Sequence, residues 1–90
     1  MREQTLEITN KIGLHARPAA LLVKTAAVFK SEIALIKSDK SVSAKSMLAV
    51  MSAGIKAGDT ITVRASGEDE EQALTAVAAL IKADFQEGRS

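Results

Sequence analysis

The chain has 90 residues, of which 47% are hydrophobic and 26% charged, with a formal net charge of +1; this leaves room for one domain with a modest core and an ordinary globular composition. So small a net charge gives no global attraction to nucleic acid, and two phenylalanines with no Tyr or Trp leave little for stacking bases. A lack of cysteine removes disulfides and thiolate metal sites, one histidine removes any cluster of imidazole ligands, and the acidic residues lack metal-loop spacing, so no metal and no other cofactor is expected.

Met1-Arg2-Glu3-Gln4 carries both signs of charge rather than an apolar signal segment, and no run approaches the ~20 apolar residues that span a bilayer. The expectation is a cytoplasmic protein with no membrane insertion. Thr5-Leu6-Glu7-Ile8-Thr9 alternates polar and apolar, predicting a half-buried strand with Leu6 and Ile8 inward. Asn10-Lys11-Ile12-Gly13 reads as a turn. From Ala16 the period changes: Ala19, Leu22, Val23, Ala26 and Phe29 recur at three- and four-residue spacing, the mark of an amphipathic helix. Glu32 to Lys37 predicts a second strand, Ser38-Asp39-Lys40 a turn, and Ser41 to Ala44 a third strand closing a hairpin.

Ser46 as N-cap and Gly54 at C′ bracket a short helix over Met47 to Ala53. Thr60 to Ala65 alternates as a fourth strand, which Ser66-Gly67 breaks. Glu68 to Glu71 crowd the start of a last helix, where acidic side chains complement the dipole; they read as a helix start with a solvated face. Ala73, Leu74, Val77, Leu80 and Ile81 form that helix's apolar stripe, and Gln86 to Ser90 are expected to fray. The order β-α-β-β-α-β-α, with one apolar face per element, predicts an α+β two-layer sandwich over residues 1–90 as a single domain, its helices on one face of a mainly antiparallel sheet.

The chemistry concentrates in Gly13-Leu14-His15-Ala16-Arg17-Pro18-Ala19-Ala20. Pro18 suits a first helical turn, because the amide hydrogen it lacks would have no intrahelical partner there. His15 then falls at or just before the N-cap, where free amides and the positive end of the dipole form an anion site. Arg17 adds a fork of donors. Near a helix start the neutral imidazole is favoured over the cation, leaving a nucleophile at pH 7. No second histidine or carboxylate stands nearby as a base; phosphoryl transfer asks mainly for positioning and charge stabilisation, which the amides of Ala16 and Arg17 can supply. The alternatives are a packing or capping histidine and a solvated arginine. A cation set against the dipole makes better sense if an anion arrives, so the pattern reads as a histidine that accepts a phosphoryl group.

Two further readings concern the short helix. Ser46 is explained equally by capping and by regulatory phosphorylation, since helix starts tolerate added negative charge. Met47, Leu48, Val50 and Met51 cannot all be buried by a helix lying on a sheet. Val50 is the expected core residue, and exposure among Met47, Leu48 and Met51 would make a docking surface, with plain packing as the alternative. Ala20 and Leu21 would extend it, and Lys24, Lys45 and Arg17 would give it a basic rim suited to acidic partners.

Gly13-Leu14-His15-Ala16-Arg17-Pro18 resembles the active-site signature of the HPr family, the histidine-containing phosphocarrier proteins of the bacterial phosphoenolpyruvate-dependent phosphotransferase system. Lys45-Ser46-Met47, with Val50-Met51-Ser52 and Gly54-Ile55, is similar to that family's second signature around a regulatory serine. The resemblance implies a four-stranded antiparallel sheet with three helices on one side. It implies that His15 takes a phosphoryl group from phosphorylated enzyme I on Nδ1 and passes it to a histidine on a IIA domain of a sugar permease, with Arg17 contacting the group. It also implies that in some hosts a dedicated HPr kinase/phosphorylase modifies Ser46 and redirects the protein to regulation with a transcriptional regulator. The expected protein is then a monomeric stoichiometric carrier rather than an enzyme. The competing reading is a regulatory protein, of nitrogen-type or catabolite control, acting by complex formation through Ser46 and the Met47/Met51 surface. A ligand- or RNA-binding module lacks the strand aromatics it would need, and a hydrolase lacks a carboxylate to orient its histidine.

Overall fold

The strand richest in β-branched residues, Thr60–Ser66, becomes one of the two inner strands of the sheet. In the computed structural model, which describes residues 1–9 and 16–85, the elements run β1 (Arg2–Glu7), α1 (Ala16–Ala27), β2 (Glu32–Lys37), β3 (Lys40–Ser43), α2 (Met47–Ser52), β4 (Thr60–Ser66) and α3 (Glu70–Lys82). The four strands lie in the order β1-β4-β2-β3, every pair antiparallel. Ile61, Val63 and Ala65 of β4 and Ile33 and Leu35 of β2 turn inward and are buried. Their neighbours Thr62, Arg64 and Ala34 lie on the other, open face. The helices cover the inward face through Ala19, Leu22 and Ala26 of α1, Val50 of α2, and Ala73, Val77 and Ile81 of α3. This is the two-layer sandwich that the alternation of periods implies, and no helix is long and apolar enough to cross a membrane among the described residues.

Several boundaries differ from the sequence reading. β1 starts at Arg2 rather than Thr5 and ends at Glu7 rather than Thr9. Its register runs from Arg2 opposite Ala65 to Glu7 opposite Thr60, so pairing with β4 recruits Arg2, Glu3 and Gln4, which have no apolar signal. Ile8 stays wholly buried although the ladder has ended, held by Ile8 N–H to Asp59 C=O and Gly58 N–H to Ile8 C=O, both 2.8 Å. α1 ends at Ala27, and Phe29 packs half-buried beyond it. β3 starts at Lys40, one residue earlier, because the Ser38-Asp39 turn is tight and Ser38 takes φ 55°. The tail from 86 to 90 lies outside the described residues.

The corner joining β4 to α3 is the most heavily bonded part of the fold. Asp69 accepts from the Lys30 and Ser31 amides at 2.9 Å each and from the Ser31 hydroxyl at 2.6 Å. Ser31 is buried. The Ser31 hydroxyl first, then the Lys30 amide, hold the Asp69 carboxyl down to about 2. Gly67 passes so close that a Cβ there would lie 2.7 Å from the Ser31 hydroxyl oxygen and 2.8 Å from its Cα. The acidic start of α3 is therefore more than a solvated face: it ties the entry to β2 against the exit from β4.

Candidate functional site

The site is built on the start of α1 and on α2. α1 begins at Ala16 with Ala16 and Arg17 exposed and Pro18 and Ala19 buried. The buried pair fixes the first turn against the core. First-turn amides have no intrahelical acceptor, and Pro18 has no amide hydrogen at all, so Ala16 and Arg17 are the donors available at this end. The first turn holds no acidic residue, and among the described residues no carboxylate lies within ion-pair distance of Arg17 or Lys24. His15, bonded in the chain to Ala16, lies outside the described residues.

Ser46 caps α2. It sits in extended backbone, φ −110° and ψ 112°, and its hydroxyl accepts from the Ala49 amide at 3.2 Å. The expected core residue, Val50, is wholly buried; Met47 packs half-buried against the core, while Leu48 is 78% and Met51 45% exposed. One turn of helix thus presents two long apolar side chains outward while its other side is anchored. α1 packs against α2 on one flank and against α3 on the other.

The sequence grouped Ala20, Leu21 and Lys24 with α2. Ala20 is exposed. Leu21 is half-buried and, with Lys24, lines a groove facing α3 that no α2 residue reaches. Lys45 is exposed but its ammonium donates to the Phe29 carbonyl at 2.6 Å, tying the chain after α1 to the entry of α2. Two features were not anticipated. Val28, 75% exposed just after α1, sits one residue from the stripe residue Phe29, and helical spacing would have put it outside. Thr9 donates through its hydroxyl to Asp84, a contact across the chain that no local pattern announces. Among the described residues no group of acidic or histidine side chains is placed to hold a metal.

A family profile described as "PTS HPr component phosphorylation site" matches residues 2–83. The chain belongs to the HPr family. It is 47% identical over 70 residues to the phosphocarrier protein HPr of Mycoplasma capricolum, covering 78% of this chain and 79% of that one. It is 44% identical over 82 residues to the HPr-like protein Crh of Bacillus subtilis, covering 91% and 96%. The crystal structure of HPr-C-His from Thermoanaerobacter tengcongensis superposes with a TM-score of 0.93 at 48% identity, covering 99% of this chain and 100% of that one. HPr-type phosphocarriers and Crh-type proteins thus stand at similar distance, and the fold is that of HPr.

Proposed function

We propose that this HPr-family protein is a phosphoryl carrier that takes a phosphoryl group from phosphorylated enzyme I on Nδ1 of His15 and passes it to a histidine of a IIA domain. The observation that carries the reading is the start of α1: a first turn without acidic residues, with Ala16 and Arg17 exposed directly after the chain's one histidine. The positive end of the helix favours a neutral imidazole whose Nδ1 lone pair attacks phosphorus. The new N–P bond forms as the bond to the donor breaks, and the charge on the phosphoryl oxygens meets the Ala16 and Arg17 amides and the Arg17 guanidinium. Pro18 offers no third amide, which keeps the hold loose enough for the group to leave again. The exposed Leu48 and Met51 of α2, with the exposed Ala20 of α1, form the docking surface for donor and acceptor in turn, and the Arg17 cation at the start of α1 suits acidic partners.

Incubation with phosphoenolpyruvate and enzyme I should add one acid-labile phosphoryl group by intact mass, and His15→Ala should abolish it without a loss in Tm. Acid-labile label on the mutant would overturn the assignment. A second reading has its own support, in the Crh relatives and the half-buried cap at Ser46: Ser46 is a regulatory phosphorylation site. A phosphate there is acid-stable, so the same assay run with a serine kinase separates the two.

A further inference from the structure

On the flank of α1 turned away from α2, Leu21, Lys24, Thr25 and Val28 face Ala76 and Leu80 of α3 across an open groove of about 340 Å³. The phosphoryl site uses none of its floor. Short side chains at Thr25 and Ala76 leave space between the longer Leu21, Val28 and Leu80, the relief into which a third helix can pack. Val28 is three-quarters exposed, a large apolar group in water that the fold does not need there. Lys24 is the only charged residue of the lining. α1 carries two charges, Arg17 and Lys24, both positive, and α3 carries none from Ala73 to Ile81. The one charge that the lining offers is therefore positive, and a negatively charged partner is complementary to it.

We propose that the groove between α1 and α3 docks an amphipathic helix of a partner protein, its apolar stripe flanked by carboxylates. From Leu21 to Val28 the groove runs about 10 Å, two helical turns, so the partner offers anchors at i, i+4 and i+7. A carboxylate beside the middle anchor reaches Lys24. Because α2 takes no part, this partner occupies a different flank from the surface at Leu48 and Met51, and both can be held at once.

The test uses the isotope-labelled full chain and two synthetic helical peptides with the same Leu/Ala stripe, one flanked by glutamates and one by lysines. The glutamate peptide should saturably shift the amides of Leu21, Lys24, Thr25, Val28, Ala76 and Leu80 and leave those of Met47 to Ser52 in place. Val28→Asp should weaken it at least tenfold with Tm unchanged, as the side chain is exposed, and Lys24→Gln should weaken it severalfold. Four outcomes overturn the proposal: no shift in the groove with either peptide, equal binding of the lysine peptide, shifts centred on α2, or groove shifts that follow the protein's own concentration without peptide. Shifts produced instead by vesicles of anionic phospholipid would assign the groove to a membrane surface and overturn it too.

Discussion

The corner around Ser31, Gly67 and Asp69 and the end of the molecule carrying Arg17, Ser46, Leu48 and Met51 use similar residue types to opposite ends. At the corner polar groups answer one another from within: one carboxylate takes three donors, and the serine it holds is buried. At the other end, the described cations of α1 have no described carboxylate within reach and two long apolar side chains face water. Satisfied groups rigidify a fold and leave nothing for a partner. Unsatisfied cations and exposed methionine or leucine add little to stability and supply what a transient partner needs. Substitutions at the corner should therefore move Tm and spare transfer, and substitutions at the other end should do the reverse.

The largest expected effect is at Gly67. Alanine there must hold φ +149° and drive its Cβ to 2.7 Å from the Ser31 hydroxyl oxygen and 2.8 Å from its Cα. Backbone strain and overpacking together cost about 2–4 kcal/mol, which should lower Tm by at least about 10 °C in a domain of this size. Transfer from enzyme I at 25 °C should stay near wild type. A thermal melt with unchanged midpoint would show that the corner yields and does not brace the sheet.

Asp69→Ala should come next. Removing the carboxylate strands the buried Ser31 amide and hydroxyl, and an orphaned buried donor costs on the order of 1–3 kcal/mol. Ser31→Ala keeps both backbone donors satisfied and should cost less. The same carboxylate makes an acid signature. Its folded pKa lies at about 2, below the ordinary 3.8, so the unfolded chain takes up a proton first as pH falls. The stabilisation is complete above about pH 4 and disappears as pH drops from there towards 2. Asp59, held low by the Lys37 ammonium and then the Lys56 amide, adds in the same direction. Melts across that window should slope steeply for wild type and less for Asp69→Asn.

At the opposite end, Arg17→Ala should leave Tm within a degree or two, because the side chain is exposed, and slow phosphoryl transfer. One charge-assisted contact is worth ~1.5–3 kcal/mol, so a loss of very roughly ten- to hundredfold is expected, mainly in the rate and less in docking. Unchanged single-turnover kinetics would reduce Arg17 to a solvated first-turn residue.

The two regions also differ in how legible they were. The end carrying Arg17, Ser46, Leu48 and Met51 is local: the N-cap serine, the crowded apolar turn from Met47 to Met51 and the change of period at Ala16 all act within a few residues, and both helices start where the sequence put them. The corner is not local. Asp69 and Ser31 lie 38 residues apart, and only the folded sheet brings them together, so the acidic run from Glu68 to Glu71 read as a mere helix start. β1 failed at its N-terminal half for the same reason, since Arg2 to Gln4 become strand through pairing with β4 and not through any pattern of their own. Leu21 and Lys24 were grouped with α2 from helical spacing alone, and spacing along α1 does not show that both also line a groove with Ala76 and Leu80 of α3.

The smallest effect, and the one that sharpens the comparison most, concerns Ser46, which belongs to both regimes: its hydroxyl is satisfied inside the fold by the Ala49 amide at 3.2 Å, yet it sits beside exposed Leu48 and Met51. Ser46→Ala removes the cap and should cost ~1 kcal/mol, a few degrees in Tm, with transfer unaffected. Ser46→Asp keeps an acceptor at the favourable end of the dipole, so its Tm should hold or rise slightly. It also places a negative charge next to the exposed Leu48 and Met51, the proposed docking surface, where an acidic partner would approach. Transfer from enzyme I should therefore slow severalfold, and a phosphate, with about −1.5 to −2 charges, should slow it further. Added salt should narrow the gap between Ser46→Asp and wild type, because the opposing charges are screened. If Ser46→Asp transfers as fast as wild type at low salt, Leu48 and Met51 are not the surface that enzyme I covers, or Ser46 lies outside its field. If its Tm falls together with that of Ser46→Ala, the hydroxyl geometry matters more than the dipole, and Ser46 belongs with the Ser31–Asp69 corner as a stabilising contact and not with the proposed docking surface.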